Sequence, residues 1–427
     1  MYKDSKKLSG VFVGQPVLAQ ILKYISKDDI ESIASRHKSD RYVKKFTTHD
    51  HLASLLFGVM SFSHSLRELV IILAAEQNKL LHLSIDYKVS RTTFARANNS
   101  RNPKVFEGIY HSILRRHRHF LRDSHLCKAE VSRLYALDST TITLFSDILK
   151  GTGKPSYADG RQKGGIKAHT VINVEEGVPC MVKFSKAAKG DVKFMGMAAK
   201  LPKDSFMAMD KAYSDHAMLE KLSKRSIWYV SRLKDNVKYK VLKVLDGFKL
   251  APGWDTARER VLRDDVISVS IPKKRNRHIC RRIEYLGIVK DRNGKEHEKL
   301  FVFSTNNLKL PAQTIAGIYR NRWQIELMFK SIKQNFPLKY FYGESVNAIK
   351  NQIWAALIAC ILLTIVHREA LKKQKWAFSN VVSLVRRLLM NYIDIHLILA
   401  SPNMFADNIR GRPPPERNLF SLAGINL

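Results

Sequence analysis

Four side chains in the stretch Tyr319–Lys333 are of types that could act together on a phosphate: Tyr319, Arg322, Glu326 and Lys333. On a single helix at about 100° per residue, Arg322, Glu326 and Lys333 fall about 60°, 20° and 40° to one side of Tyr319. One phenol, one carboxylate and two cations then share an arc about 60° wide. Ile318, Ile325, Met328, Phe329 and Ile332 gather about 90° away and form the expected buried face. An Arg–Glu pair spaced i, i+4 is by itself an ordinary surface ion pair worth a few tenths of a kcal/mol. Two other acids change its meaning. Asp138 lies inside the β-patterned run RLYALDSTTITLF, and Asp210 ends the short apolar run SFMAMD. A carboxylate in a strand core is costly unless a cation compensates it. Two strand acids and one helix acid offer oxygen ligands for two hard divalent ions. Such ions about 4 Å apart activate the attacking oxygen and stabilise the leaving one in phosphodiester displacement. Arg322 as a bidentate fork and Lys333 would then meet arriving phosphates, with Tyr319 donating a hydrogen bond.

The charge balance points to the same partner. The chain has 427 residues, with 73 Lys and Arg against 38 Asp and Glu, a formal net charge of +35. Self-repulsion on that scale calls for a polyanion, with DNA or RNA ahead of an anionic membrane. The run PKKRNRHICRR sets Lys273, Lys274, Arg275, Arg277, Arg281 and Arg282 close together. It reads either as a nucleic-acid contact, which the charge favours, or as a sheet edge guarded by charge. Other classes drop out. Cys127, Cys180, Cys280 and Cys360 are widely spaced, which indicates neither a disulfide framework nor a zinc ribbon. None of the 15 His falls in a zinc-hydrolase spacing. The longest apolar run, Ile353–Val366, is short for a bilayer and reads as a core helix, and the N-terminus MYKDSKKLSG has no leader-like apolar stretch. A cytoplasmic protein without a membrane partner is expected.

The elements that must position these residues fall in blocks. Residues 10–125 carry apolar residues at helical spacing, with Ser65 and Ser90 as candidate helix caps. The second cap opens a polar helix bearing Arg91 and Arg96, compatible with a helix-turn-helix DNA reader or with two ordinary antiparallel helices. The basic stretch Leu114–Arg122 suits a solvated face or a phosphate contact. From Arg133 the texture becomes β-like. After the first strand comes a hairpin, Lys167–Val174 and Val178–Ser185, turning at Glu175-Glu176-Gly177 with both acids expected in solvent. A helix over Val192–Lys200 follows, then the Ser205–Asp210 strand, a helix near Ser214–Leu222 and the strand Ser226–Leu233, an order that suits an α/β fold with a mixed sheet. Residues 235–298 read as an inserted β-rich subdomain with strands at Val266–Ile271 and Arg281–Val289. A strand over Lys299–Asn306 then precedes a long helical region from about Ala312 to Gln334, with Tyr319–Lys333 read as one helix. Helices continue to about Leu399, ahead of a Pro-rich tail around Arg410–Asn418.

These residues together resemble the DDE transposases of bacterial insertion sequences, in the IS-four group. That group carries a Y-(2)-R-(3)-E-(6)-K signature on the helix of its third acid, and Tyr319, Arg322, Glu326 and Lys333 match it in residue and spacing. Asp138-Ser139-Thr140 resembles the first-acid motif, Asp210 with Tyr213 the second, Lys167 with His169 the Lys-x-His strand between them, and Arg232–Asn236 the segment after the second acid. The likeness spans about Leu134–Val366. It implies an RNase H-like catalytic core with a β-rich insertion, plus an N-terminal helical domain and C-terminal helices. The division expected is 1–125 as a helical DNA-binding domain, 130–234 and 299–370 as the two parts of the core, 235–298 as the basic insertion and 371–427 as C-terminal helices and tail. The implied catalytic and metal-holding residues are Asp138, Asp210 and Glu326, with Tyr319, Arg322, Lys333, Lys273, Lys274, Arg275 and Arg277 on DNA. The implied cofactor is Mg²⁺, two ions, with Mn²⁺ able to substitute. Implied partners are double-stranded inverted-repeat ends and target DNA, met by a homodimer in a synaptic complex. The implied reaction is strand cleavage and transfer, and members of the group can pass through a DNA hairpin. An aromatic stacking on a displaced base is implied too. Trp254 and Trp323 are the nearest candidates, although both are expected in the core. The rivals are a transposase-derived regulator that binds without cutting and a nuclease of the same fold that cuts without joining. His169 is expected to support the site rather than to join it. Asp147 and Asp215 suit an acid role less well than Asp138 and Asp210.

Overall fold

The computed structural model describes residues 14–122, 133–143, 165–245, 259–272, 275–291, 293–371 and 375–400. Lys273, Lys274, Asp147, Trp254, the N-terminal ten residues and the Pro-rich tail lie outside the described residues. The chain divides into two compact units, residues 121–334 and the remainder.

The first of these is built on one nine-stranded sheet: β1 (Leu134–Thr143), β2 (Gly165–Asn173), β3 (Val178–Lys186), β4 (Phe206–Met209), β5 (Trp228–Arg232), β6 (Tyr239–Val244), β7 (Arg260–Ser270), β8 (Arg277–Lys290) and β9 (Glu296–Thr305). The order across the sheet is β3-β2-β1-β4-β5-β9-β8-β7-β6. β1, β4 and β5 run parallel, while β2 and β3 lie antiparallel on one side, which is the RNase H-like arrangement. The central strands read as near-continuous apolar runs because both sheet faces are covered. All nine residues of β2 and all four of β4 are buried. One face of the sheet packs Tyr135, Leu137, Val171, Met207 and Tyr229 against the 3₁₀ helix Asp191–Lys200 and the helix His216–Lys224.

The β-rich insertion joins the core: β9 pairs with both β5 and β8, so β6–β9 extend the central sheet itself. Two expectations need correction here. The turn between β2 and β3 is closed by Gly177 at φ 68°, as a hairpin requires, but Glu176 beside it is fully buried rather than solvated. The single helix expected over Tyr319–Lys333 is broken, the region forming two helices, Ala312–Arg320 and Trp323–Asn335. At the break the Asn321 side chain donates to the Gly317 carbonyl (3.2 Å), and the Arg322, Gln324 and Ile325 amides turn to carbonyls three residues back. Those tighter bonds advance the chain by about three residues per turn, so the rotation of Tyr319 relative to Glu326 cannot be read from a continuous wheel.

The other unit is helical in its described residues. Numbering its helices in chain order, α1 is Val17–Leu22, α2 Lys27–Arg36, α3 Thr48–Ser61, α4 Leu66–Ala75, α5 Gln77–Leu80, α6 Arg91–Ser100 and α7 Lys104–Leu121. After the sheet unit come α8 (Val346–Leu371), α9 (Phe378–Leu388) and α10 (Ile395–Ala400). Ser65 and Ser90 cap α4 and α6 by accepting from the Glu68 and Thr93 amides, as the sequence predicts. α8 is long and apolar enough by composition to cross a membrane, yet 89% of its apolar window is buried inside the protein. That burial is the environment of a core helix, against which α3 and α6 pack.

Candidate active site

The sheet register brings the two strand acids together. β1 and β4 pair in parallel up to Leu137 opposite Met209, so Asp138 and Asp210 each stand one residue beyond the last pair. Neighbouring strands lie about 4.8 Å apart, and residues level with one another face the same side. β5 continues the row, with Met209 opposite Ser231 and Arg232 one residue further on. Asp210 accepts from the Ala212 amide (2.9 Å), which starts a 3₁₀ turn and ends the strand.

Arg322 joins the helix to this row. Its guanidinium lies 2.6 Å from a Glu326 oxygen and 3.4 Å from Asp138 Oδ2. One cation therefore spans two of the three acids. The i, i+4 pairing of Arg322 and Glu326 survives the helix break, because Arg322 immediately precedes the second helix and Glu326 lies in its first turn. Tyr319 lies on the near side but stays close, with the Arg322 guanidinium carbon 5.6 Å from its ring centre and Phe303 packed 5.0 Å away.

The electrostatics follow from that packing. Burial pushes the Asp138 carboxyl up to about 6, and the charges of Glu326 and Asp210 push the same way. The Ser139 amide and Arg322 oppose the rise without cancelling it. Burial works against a charged Arg322, yet Tyr319, Glu326 and Asp138 hold its pKa above the ordinary value. Burial also raises Tyr319, so its phenol stays a hydrogen-bond donor at neutral pH. Among the described residues no three acid, His or Cys side chains stand close enough, as arranged, to grip one ion together. The donor set nevertheless fits a hard divalent cation: Asp138, Asp210 and Glu326 would offer carboxylate oxygens alone, and burial leaves the Asp138 carboxylate in want of a cation. Lys333 lies exposed further along the same helix.

The structure separates the members of the basic run. Arg281 and Arg282 are buried, the first in a two-pronged pair with Asp264 (2.7 and 2.5 Å), the second against Asp265 and Glu284. Arg277 is exposed and bonds Ser268, and Arg275 is exposed. Trp323, which the sequence places in the core, is instead 56% exposed, directly after Arg322. Asp215 caps the helix His216–Lys224 through the Met218 amide, a structural task.

Sequence reasoning missed Asp191. It lies under the sheet face opposite the acids, where its Oδ1 accepts from Ser139 Oγ (2.8 Å) and Lys167 Nζ (3.1 Å) and stands 3.5 Å from His169 Nδ1. No spacing in the chain marks it, because three separate elements meet there. The only available signal was the buried Lys167, which needs an anion.

A family model for the transposase DDE domain matches residues 130–362. A second, described as a domain of unknown function (DUF4372), matches residues 13–86. Among curated proteins, the chain is 30% identical to "Putative transposase y4zB" of Sinorhizobium fredii over 67% of this chain and 75% of that one. It is 25% identical to "Probable transposase for insertion sequence element IS5377" of Geobacillus stearothermophilus, covering 61% and 64% of the two chains. It is likewise 25% identical to "Putative transposase for insertion sequence element IS4SA" of Synechocystis, covering 64% and 71%. With the matched domain covering more than half of its length and containing all three acids, the chain belongs to the DDE transposases of insertion sequences.

Proposed function

We propose that this transposase cuts DNA at the ends of its element and joins the freed ends to target DNA, with Asp138, Asp210 and Glu326 as the catalytic carboxylates. The observation that carries the reading is the single Arg322 guanidinium shared by Asp138 and Glu326, at the end of the strand pair that brings Asp210 alongside. The three carboxylates would hold two Mg²⁺ ions, or Mn²⁺ in their stead. When bound, such ions supply activation of the attacking oxygen and charge neutralisation at the leaving one.

The chain's own residues account for the rest. A phosphate entering the site offers Arg322 a second bidentate partner, so its fork is poised to move from carboxylate to phosphate. Tyr319, kept protonated, donates to a phosphate oxygen. Lys333 meets the backbone further along. In the first step water adds to phosphorus and the 3′ oxygen leaves, taking a proton. In the second that 3′-OH attacks a target phosphodiester and displaces another 3′ oxygen. Trp323 is exposed beside Arg322 and is suited to stack on a displaced base. Arg275 and Arg277, with Lys273 and Lys274 before them, would grip flanking duplex. Arg91 and Arg96, exposed on α6, make the helical N-terminal domain a second DNA contact. Joining two ends calls for a homodimer in a synaptic complex, working on DNA in the cytoplasm.

The test is cleavage of an element-end duplex in Mg²⁺. Asp138→Ala, Asp210→Ala and Glu326→Gln should each abolish cutting while leaving duplex binding largely intact. Full cutting by any one of them removes that residue from the site. Binding without cutting by the unaltered chain would favour a regulator.

A further inference from the structure

We propose that Asp191 is a positioning residue for the Asp138 carboxylate, acting through Ser139 from the opposite face of the sheet. The inference rests on the catalytic role given to Asp138 above. Ser139 is held at two ends. Its amide donates to Asp138 Oδ1 at 2.7 Å, and its hydroxyl donates to Asp191 Oδ1 at 2.8 Å. Successive residues of a strand point to opposite faces, so a restraint on the Ser139 side chain fixes the backbone that aims Asp138. That restraint is built on a rigid base. Ser139 pairs with His169 and Thr141 with Lys167 across β1 and β2, which sets Lys167 and His169 on the Ser139 face.

Lys167 is 7% exposed and donates to the same Asp191 oxygen and to the Lys189 carbonyl (3.1 and 3.4 Å). His169 is fully buried, stacks on Phe194 with ring centres 3.5 Å apart, and shares a hydrogen bond with Ser185 Oγ (2.9 Å). Asp191 and Phe194 belong to the same 3₁₀ helix. That helix is thus pinned to β2 at two points, and Asp191 cannot drift from Ser139 without exposing or orphaning a buried ammonium. A pair serving only to hold the helix down would satisfy Lys167 and need no serine hydroxyl. The bond to Ser139 is what links it to the acid.

The test uses the full chain with Asp191→Ala, Ser139→Ala, the double variant and Ser139→Thr. Three quantities are read: Mn²⁺ affinity by electron paramagnetic resonance, end-duplex cleavage rate, and Tm. Partners of metal ligands typically change affinity or rate by about 10- to 100-fold when removed. Asp191→Ala and Ser139→Ala should each weaken Mn²⁺ binding and slow cleavage by at least about 10-fold, the double variant no more than the worse single one, and Ser139→Thr should keep both near the original. Independent, multiplying losses would overturn the proposal. So would a change confined to Tm with Mn²⁺ affinity intact. Should Asp191→Ala fail to fold, Ser139→Ala against Ser139→Thr decides, because equal behaviour of those two removes the hydroxyl from the argument. Asp138→Ala run alongside separates the two levels: full cleavage there sinks the parent reading, whereas its loss with Asp191→Ala unimpaired sinks this one alone.

Discussion

Arg281→Ala asks whether the basic run on β8 serves DNA or the fold. Arg281 and Asp264 have side chains 6% and 5% exposed, joined by two parallel hydrogen bonds of 2.7 and 2.5 Å. The same guanidinium reaches the carbonyls of Leu310 (2.5 Å) and Asn307 (3.4 Å), immediately before the helix that carries Tyr319. Removing the arginine leaves Asp264 charged and dry, which costs about 3–5 kcal/mol. For a unit of this size each kcal/mol moves the midpoint by about 2–4 °C, so Tm should fall by about 6–20 °C. Pairing Arg281→Met with Asp264→Leu removes both charges and should restore most of that loss. The assay is thermal unfolding of both variants and the original chain beside DNA binding at several salt concentrations. A loss under about 1 kcal/mol for the single variant, together with a salt slope lowered by about one, would mean that Arg281 faces DNA and refute the assignment.

Other expectations concern neighbouring residues. Arg275→Glu with Arg277→Glu should lower the salt slope of duplex binding by about one per lost contact while Tm stays nearly constant; an unchanged slope removes them from the interface. Trp323→Ala should leave stability within about 0.5 kcal/mol, since the ring is exposed, yet reduce cleavage and the fluorescence change of a 2-aminopurine near the cut. A large Tm loss instead would return the ring to the core. Ser90→Ala should cost about 1 kcal/mol in thermal unfolding through the lost cap on α6; no loss would deny the cap any weight. Burial holds the His169 imidazole down at about 4, against the opposing pull of Asp191 and with help from Lys167 and Lys189. Protonation therefore favours the unfolded chain. Relative to His169→Gln, the original should hold its stability above about pH 6.5 and lose it as pH falls toward 4. Parallel pH curves for the two would refute that.

What the sequence made legible was whatever is local or periodic. The capping serines, the hairpin and the four-residue spacing of Arg322 and Glu326 depend on neighbours within a few positions. The strand acids could be singled out because an acid in an apolar β run demands compensation. Asp191 escaped notice because its partners Ser139 and Lys167 come from β1 and β2, and nothing near it in the chain names them. Arg281 and Arg282 look identical to Arg275 and Arg277 as letters. What separates them is burial of Asp264 and Asp265 on β7, a matter of sheet register. Glu176 misled for the same reason: a turn position suggests solvent, and tertiary packing decided otherwise.

The break at Asn321 gives the extended sheet a role in the site. Because β9 pairs antiparallel with β5, the chain leaves the sheet at Thr305 opposite Val230, toward the start of β5, and the helix Ala312–Arg320, packed on β4 and β5, carries it back toward the row that holds Asp138, Asp210 and Arg232. A straight helix running on from there would carry its next turn along the same axis. The tighter turn at Asn321 instead resets the rotation of Trp323–Asn335, and just ahead of that helix Arg322 meets both carboxylates. Asn321 supports the break by donating to the Gly317 carbonyl. Asn321→Ala should therefore favour a continuous helix, since Ala is the better helix former by several tenths of a kcal/mol and the side-chain bond is gone. The expected outcome is slower cleavage with higher helical content by circular dichroism and unchanged duplex binding. Unimpaired cleavage would show that the rotation of the second helix is fixed by its packing on Ile325, Met328 and Ile332 alone.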